Sequence, residues 1–231
     1  MSRLTEKFVQ MRALSFLKDY YKEKYELEKV FCKDEVCTTS MKRADGLICF
    51  NSKKQKEHTV SIEAKSHKTL RNLITSWNDY KFALHSILPS LVIGFLSLYF
   101  FQNMAWYFTA LLSIALVLFM TFLISITLMV LESDKYKLID VVTQIHQYPA
   151  NEKWIAVSKD SLNLTQKLKH SNFQTKDNFE NFVSVCQSQR IGLLIISRRK
   201  TEIENEPGFS KGDFLDSYIL KNKIKRKINN E

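Results

Sequence analysis

Between Ser86 and Leu131 run 46 residues without an Asp, Glu, Lys, Arg or His, in a chain whose residues are 25% charged. A helix needs about 20 apolar residues to cross the hydrocarbon core of a bilayer, so this stretch has room for two crossings. The sequence predicts a hairpin of two membrane helices over about residues 82–101 and 106–131, joined by a short turn at Gln102 and Asn103. Neither helix is expected to carry the polar stripe typical of a soluble helix. Tyr99, Trp106 and Tyr107 fall where aromatic side chains gather at membrane interfaces. His85 reads as an interfacial side chain, and Pro89 as a proline tolerated in a helix's first turn.

Lys68, Arg71 and Lys81 precede the hairpin, Lys135 and Lys137 follow it, and the connecting turn has no basic residue. The positive-inside rule then puts both termini in the cytoplasm, as in a multi-pass protein of the cytoplasmic (inner) membrane. The opening "MSRLTEKFVQ" has no apolar core of the kind a cleaved signal requires. The formal charge of +10 therefore belongs to the cytoplasmic part. It favours a polyanion, either nucleic acid or the anionic face of a lipid bilayer. The final "KNKIKRKINNE" reads as a solvated or disordered basic tail. Cys32, Cys37, Cys49 and Cys186 form no CxxC pair and are expected to behave as small apolar residues.

Outside the hairpin, apolar residues at Leu4, Phe8, Met11, Leu14, Leu17 and Tyr21 predict an amphipathic first helix. Short strands are expected over residues 28–32, 44–50 and 59–65, then a helix from Leu70 that runs straight into the first membrane span. Beyond the hairpin, a helix over 138–148 should stop at Pro149, followed by a strand at 153–158, a helix at 179–186 and a buried strand at 191–197. Neither flank has enough strands to cover its apolar faces alone. The fold class is therefore α/β, one mixed sheet flanked by helices, with the transmembrane hairpin inserted: residues 1–81 form its first half, 82–131 the hairpin and 132–231 the second half with the basic tail. The two arms leading to the hairpin are expected to form a helical stalk.

The stretch "RADGLICFNSKKQKEHTVSIEAKSH" carries the chemistry. Alternate residues of a strand share a face, so Ser61, Glu63 and Lys65 point one way and Val60, Ile62 and Ala64 the other, toward the core. Folding the ribbon about Lys54 sets Asp45 opposite Glu63. Two directly opposed acids repel unless a cation lies between them. Mg²⁺ commonly takes one or two carboxylates and keeps several waters, leaving space for a phosphate oxygen. Lys65, one step along the same face, is placed to assist the attacking water and offset charge on the phosphate. Gly46 lets a bulky substrate come close. His58 and His67 lie nearby without a second ligand at metal spacing.

With Asp45 in "RADG" and Glu63 and Lys65 in "IEAK", the sequence resembles the PD-(D/E)XK nuclease superfamily, which has a restriction-endonuclease-like fold. Glu6 stands where resolvase-like and Mrr-like members place a further acid. Gln144 and Tyr148 in "QIHQY" match the Q-x-x-x-Y spacing of the RecB-like branch, where this element lies on a helix beside the site and contacts metal-bound water or DNA. Ala44 replaces the proline of many members, and the membrane hairpin separates Lys65 from Gln144. The resemblance implies that Asp45 and Glu63 bind Mg²⁺ or Mn²⁺, that Lys65 assists the water, and that Glu6, Gln144 and Tyr148 support the site. The implied activity is hydrolysis of DNA, with the bilayer and a second copy of the chain as further candidate partners. Two other classes fit the same sequence: a catalytically inactive membrane module that binds nucleic acid or protein, and a two-helix membrane effector with a cytoplasmic sensor.

Overall fold

The computed structural model describes residues 4–53, 56–73, 76–131, 136–167 and 178–229. Lys54, the expected centre of the ribbon, and Lys135 lie outside the described residues. The chain forms two compact units, one of residues 1–75 and 139–231 and the other of residues 76–138.

The first unit is built on a six-stranded mixed sheet. Helix α1 (Glu6–Tyr25) is capped by the Thr5 hydroxyl, which accepts from the amide of Phe8. It leads into an antiparallel meander of β1 (Phe31–Cys37), β2 (Arg43–Phe50) and β3 (His58–Lys65). After a 3₁₀ segment at His67–Leu73 the chain enters the second unit, whose strands β4 (Ser76–Trp77) and β5 (Lys137–Leu138) are described below. The chain returns through α4 (Asp140–His146) to β6 (Glu152–Ser158), which joins β3 in parallel, and then through α5 (Lys159–Lys167) and α6 (Asn178–Ser188) to β7 (Gly192–Ile196), parallel to β6. Antiparallel β8 (Thr201–Asn205) closes the far edge.

Both faces of the sheet are covered, so β3 is buried along its whole length and β6 and β7 read as continuous apolar runs. On one face, Val9, Ala13, Leu14, Leu17 and Tyr21 of α1 pack on Ile48, Val60, Ile62 and Trp154. On the other, Val141 and Ile145 of α4 and Phe182 and Val185 of α6 pack on Ile155, Val157 and Leu193. The basic terminus is helical and not the expected free tail: α7 (Lys221–Asn229) buries Ile224 and Ile228 against Phe31, Leu47 and Cys49. These two isoleucines, four residues apart, are enough to anchor a helix whose other residues are polar.

In the second unit, α2 (Asp79–Phe100) and α3 (Trp106–Val130) are long and apolar enough to cross a membrane. Large side chains such as Phe95, Trp106, Leu111, Phe119 and Phe122 are exposed. An apolar patch of this extent marks a membrane or partner surface. The helices do carry a stripe, contrary to expectation, and it faces inward: Ser86, Ser90, Gly94 and Ser97 of α2 are buried, with Thr109 and Ser113 of α3. The Ser97 hydroxyl donates to Ser113 Oγ at 2.7 Å. Small residues allow close backbone approach, and their hydroxyls find partners inside the pair instead of facing outward. Pro89 stands inside α2 and not in its first turn, because the helix starts at Asp79, capped by Asn78. Among the described residues the arms do not form the expected helical stalk, since β4 pairs with β5 in both arms. His85 Nδ1 lies 2.8 Å from the Tyr136 hydroxyl.

Candidate active site

The ribbon has the expected register: Gly46 pairs with Ile62, Leu47 with Ser61 and Ile48 with Val60. The next residues along are Asp45 and Glu63. There the two strands stop exchanging a regular ladder, and Asp45 turns to other partners. Its Oδ2 accepts from the amide of Ala64 at 2.8 Å, and its carbonyl accepts from the side-chain amide of Gln10 on α1. Gly46 is needed at this crossing because a Cβ there would lie 2.7 Å from the Leu14 side chain. This differs from the reason expected, which was space for a substrate.

Glu63 is fully buried and Lys65 is 5% exposed, and the Lys65 ammonium donates to Glu63 Oε1 at 2.6 Å. The other oxygen, Glu63 Oε2, is buried without a hydrogen-bond partner of good geometry. A buried carboxylate oxygen left in this state is costly; the other buried polar atoms in that state among the described residues, on His58, Ser61 and Thr201, belong to neutral groups or to an imidazole. Burial, then repulsion from Asp45, pushes the Glu63 carboxyl up to about 7, while Lys65 and Tyr148 pull in the opposite direction. Burial also raises Asp45, opposed by the Ala64 amide and Lys65 and assisted by the charge of Glu6. A buried carboxyl whose proton affinity is raised by a neighbouring acid suits a divalent cation, which replaces the proton. Among the described residues no group of three or more His, Cys, Asp or Glu gathers as a ready cage. The pair would hold an ion that keeps most of its water, the habit of Mg²⁺.

The remaining candidates converge on the same point. Tyr148, 3% exposed, brings its hydroxyl toward Glu63 and favours the charged carboxylate. Gln144 on α4 donates to that hydroxyl at 3.2 Å, so the spacing of four sets one side chain on the next. Burial pushes the Tyr148 phenol up to about 12, which keeps it a donor at neutral pH. Glu6, in the first turn of α1, accepts from the Thr69 hydroxyl at 3.2 Å and acts on Asp45 through its charge. Lys7 and Arg43 flank the mouth, held by Asp34 and Glu35 respectively.

His58 and His67 stay out of the centre. The His58 ring stacks on Phe50 and lies 3.4 Å from Glu152, and His67 Nδ1 meets the Leu4 carbonyl at 3.1 Å. Gln10 is the participant that sequence reasoning missed. Its signal was available: it is a polar residue on the buried stripe of α1, in step with Leu14, Leu17 and Tyr21.

No family model, no curated protein and no solved structure matches the chain.

Proposed function

We propose that the chain is a membrane-anchored, metal-dependent nuclease that hydrolyses DNA phosphodiester bonds at the cytoplasmic face, with a restriction-endonuclease-like core. The observation that carries this reading is the buried, unpartnered Glu63 Oε2, set among Asp45, Lys65 and Tyr148. A structural ion pair needs no such vacancy or second acid. In this reading α2 and α3 span the inner membrane and both termini lie in the cytoplasm, in agreement with the basic residues on either side of the hairpin.

Asp45 and Glu63 would hold Mg²⁺ or Mn²⁺, which when bound neutralises phosphate charge and makes a water more acidic. The protein's own groups do the rest. The Ala64 amide and Gln10 fix Asp45 from two sides. Lys65, steadied by Glu63, sets an ammonium against the phosphate oxygens and orients the attacking water. Tyr148, aligned by Gln144, favours the charged form of Glu63 against the effect of burial. The water oxygen forms a new bond to phosphorus, the bond to the leaving oxygen breaks, and the leaving oxygen takes up a proton.

A second reading, a nuclease-like module that only binds, is favoured by the tight Lys65–Glu63 pair, which already neutralises one charge. Cleavage of plasmid and oligonucleotide DNA by the detergent-solubilised chain, with and without Mg²⁺, separates the two. The enzyme reading expects metal-dependent cleavage that drops at least about 100-fold in Glu63→Ala and Lys65→Ala. Cleavage that ignores both the metal and the substitutions overturns it.

A further inference from the structure

A second charged feature lies along α1, away from the acids. A cleft of about 410 Å³ opens between α1, the start of β1 and α7, lined by Lys18, Lys22, Lys29, Phe31 and Lys227, with Glu28 its acidic member. Lys18 and Lys22 are four residues apart on one helix face. Lys227 comes from α7, across the cleft, and its ammonium lies 5.8 Å from the centre of the Phe31 ring.

Several lysines elsewhere on this unit are held in ion pairs. Lys7 pairs with Asp34, Lys24 with Glu206, Lys221 with Asp216, and Lys225 with Glu57 and Asp216. Among the described residues no ion pair neutralises Lys18, Lys22 or Lys227. Like charges gathered around one recess repel, and a polyanion removes that cost. The pairs made by Lys221 and Lys225 also hold α7 in place, so that Lys227 is presented to the cleft and not left on a free tail.

Position connects the cleft to the site. Lys7 and Lys18 are eleven residues apart, about three helical turns, so they lie on the same flank of α1. Lys7 grips Asp34 at 2.7 Å, and Asp34 pairs with Gly46, next to Asp45. Measured along α1 from Lys7, the flank reaches Lys18 over about 16 Å and Lys22 over about 22 Å, with β1 as the edge strand of the sheet. At a rise of about 3.4 Å per base pair, this matches phosphates about five to seven base pairs beyond the end of α1 that lies beside the site.

We propose that the cleft of Lys18, Lys22, Lys29 and Lys227 binds the phosphate backbone of the DNA, on one side of the bond broken at the Asp45–Glu63 centre. The assignment of DNA rests on the nuclease reading above. It makes the cleft a register device: it carries no base recognition, and it fixes how far substrate must extend from the scissile bond.

The test uses the full chain in detergent with EDTA, so that binding is read without cleavage. A fluorescent duplex of about 24 base pairs is titrated at several salt concentrations by anisotropy. In Lys18→Gln/Lys22→Gln/Lys227→Gln the slope of log affinity against log salt is expected to fall by about 2.7, with affinity about 10- to 100-fold weaker at low salt. Lys24→Gln, at a lysine held by Glu206, should leave both unchanged. A duplex of about 6 base pairs centred on the cut should bind parent and triple variant alike, because it does not reach the cleft. Vesicles of anionic phospholipid are titrated in parallel. An unchanged slope in the triple variant, no binding of DNA by the parent chain, or loss of vesicle binding alone overturns the proposal. If DNA binding falls as expected while the parent never cleaves with Mg²⁺, the nuclease reading fails and the cleft stands as a DNA site.

Discussion

Two glutamates are buried in adjacent parallel strands, Glu63 toward the end of β3 and Glu152 at the start of β6, and the same sheet treats them in opposite ways. Both oxygens of Glu152 face a partner: the Tyr21 hydroxyl donates to one, and His58 Nε2 lies 3.4 Å from the other. Tyr21 in turn accepts from the Trp154 indole at 2.8 Å, and Phe50, Tyr25 and Phe209 close around the His58 ring. Glu63 has Lys65 on one oxygen, no hydrogen bond of good geometry on the other, the Tyr148 hydroxyl nearby, and a second acid close enough to oppose its ionisation. Both oxygens of Glu152 thus have a partner, although neither ring nitrogen of His58 makes a hydrogen bond of good geometry, whereas one oxygen of Glu63 stays poised for something the chain does not itself supply. The partners of the carboxylate oxygens themselves, rather than burial or residue type, separate the two acids.

Exchanging the two roles is the most severe challenge to the comparison. Glu63→Gln should abolish metal-dependent cleavage, by about three orders of magnitude or more, while thermal melting at pH 8 falls no lower than the parent's. The amide still accepts from Lys65, and the repulsion with Asp45 is gone. Glu152→Gln should do the reverse, with cleavage per folded molecule retained. Melting should drop by about 4–10 °C, because one partner of a buried charged network is lost at a cost of about 2–3 kcal/mol in a domain of this size. If both substitutions lower melting equally and both spare cleavage, the distinction between the two carboxylates fails.

A smaller effect, in stability alone, sharpens the same contrast. The folded Glu63 carboxyl lies at about 7, above the 4.5 of a free glutamate. Between those values the folded chain keeps a proton that the unfolded chain has released, so this group makes stability fall as pH rises through that window. Asp45, also raised, acts in the same direction. Mg²⁺ or Mn²⁺ should therefore restore melting at pH 8 and do little at pH 5. For a cation at ten times its dissociation constant the gain is about 1.4 kcal/mol, or about 3–5 °C. A shift of equal size at both pH values, or one that persists in Asp45→Asn/Glu63→Gln, would place the ion elsewhere.

The legible parts of this molecule are those where one residue pattern dominates. The alternation in "TVSIEAK" and the symmetry about Lys54 give the β2–β3 register and so bring Asp45 and Glu63 to adjoining positions. The uncharged run gives both membrane-length helices to within a few residues at each end. Half-polar elements were misread. Edge strand β1 was expected at residues 28–32 but lies at Phe31–Cys37, because only Phe31 and Val36 are buried and "KDE" between them resembles a loop. Strand β8 and helices α5 and α7 were missed for the same reason, each having few buried apolar residues. The helix expected from Leu70 onward had suitable apolar spacing, but Asn78 caps a new helix and β4 intervenes. At the site, residue types on strands were readable, whereas Thr69 beside Glu6 depends on the 3₁₀ turn that positions it, and the sequence carries no signal for that turn.

The mildest prediction concerns the support around Glu63. Gln144 touches neither carboxylate, and it acts by holding the Tyr148 hydroxyl at 3.2 Å, so it is a positioning residue. Gln144→Ala should lower cleavage about 10-fold, the loss of one neutral hydrogen bond of about 1 kcal/mol plus freedom for the phenol to turn away. Tyr148 steadies the charged form of Glu63, so the pH at which cleavage reaches half its maximum should rise in Gln144→Ala and rise further in Tyr148→Phe. Gln144→Glu, which cannot donate to the phenol oxygen and draws the phenol proton to itself, should recover neither the rate nor that midpoint, because its own charge also opposes that of Glu63. A rate loss in Gln144→Ala with an unmoved pH profile would reduce Gln144 to packing on α4. Glu63 would then keep its unpartnered oxygen but lose the relay that the spacing in "QIHQY" supplies.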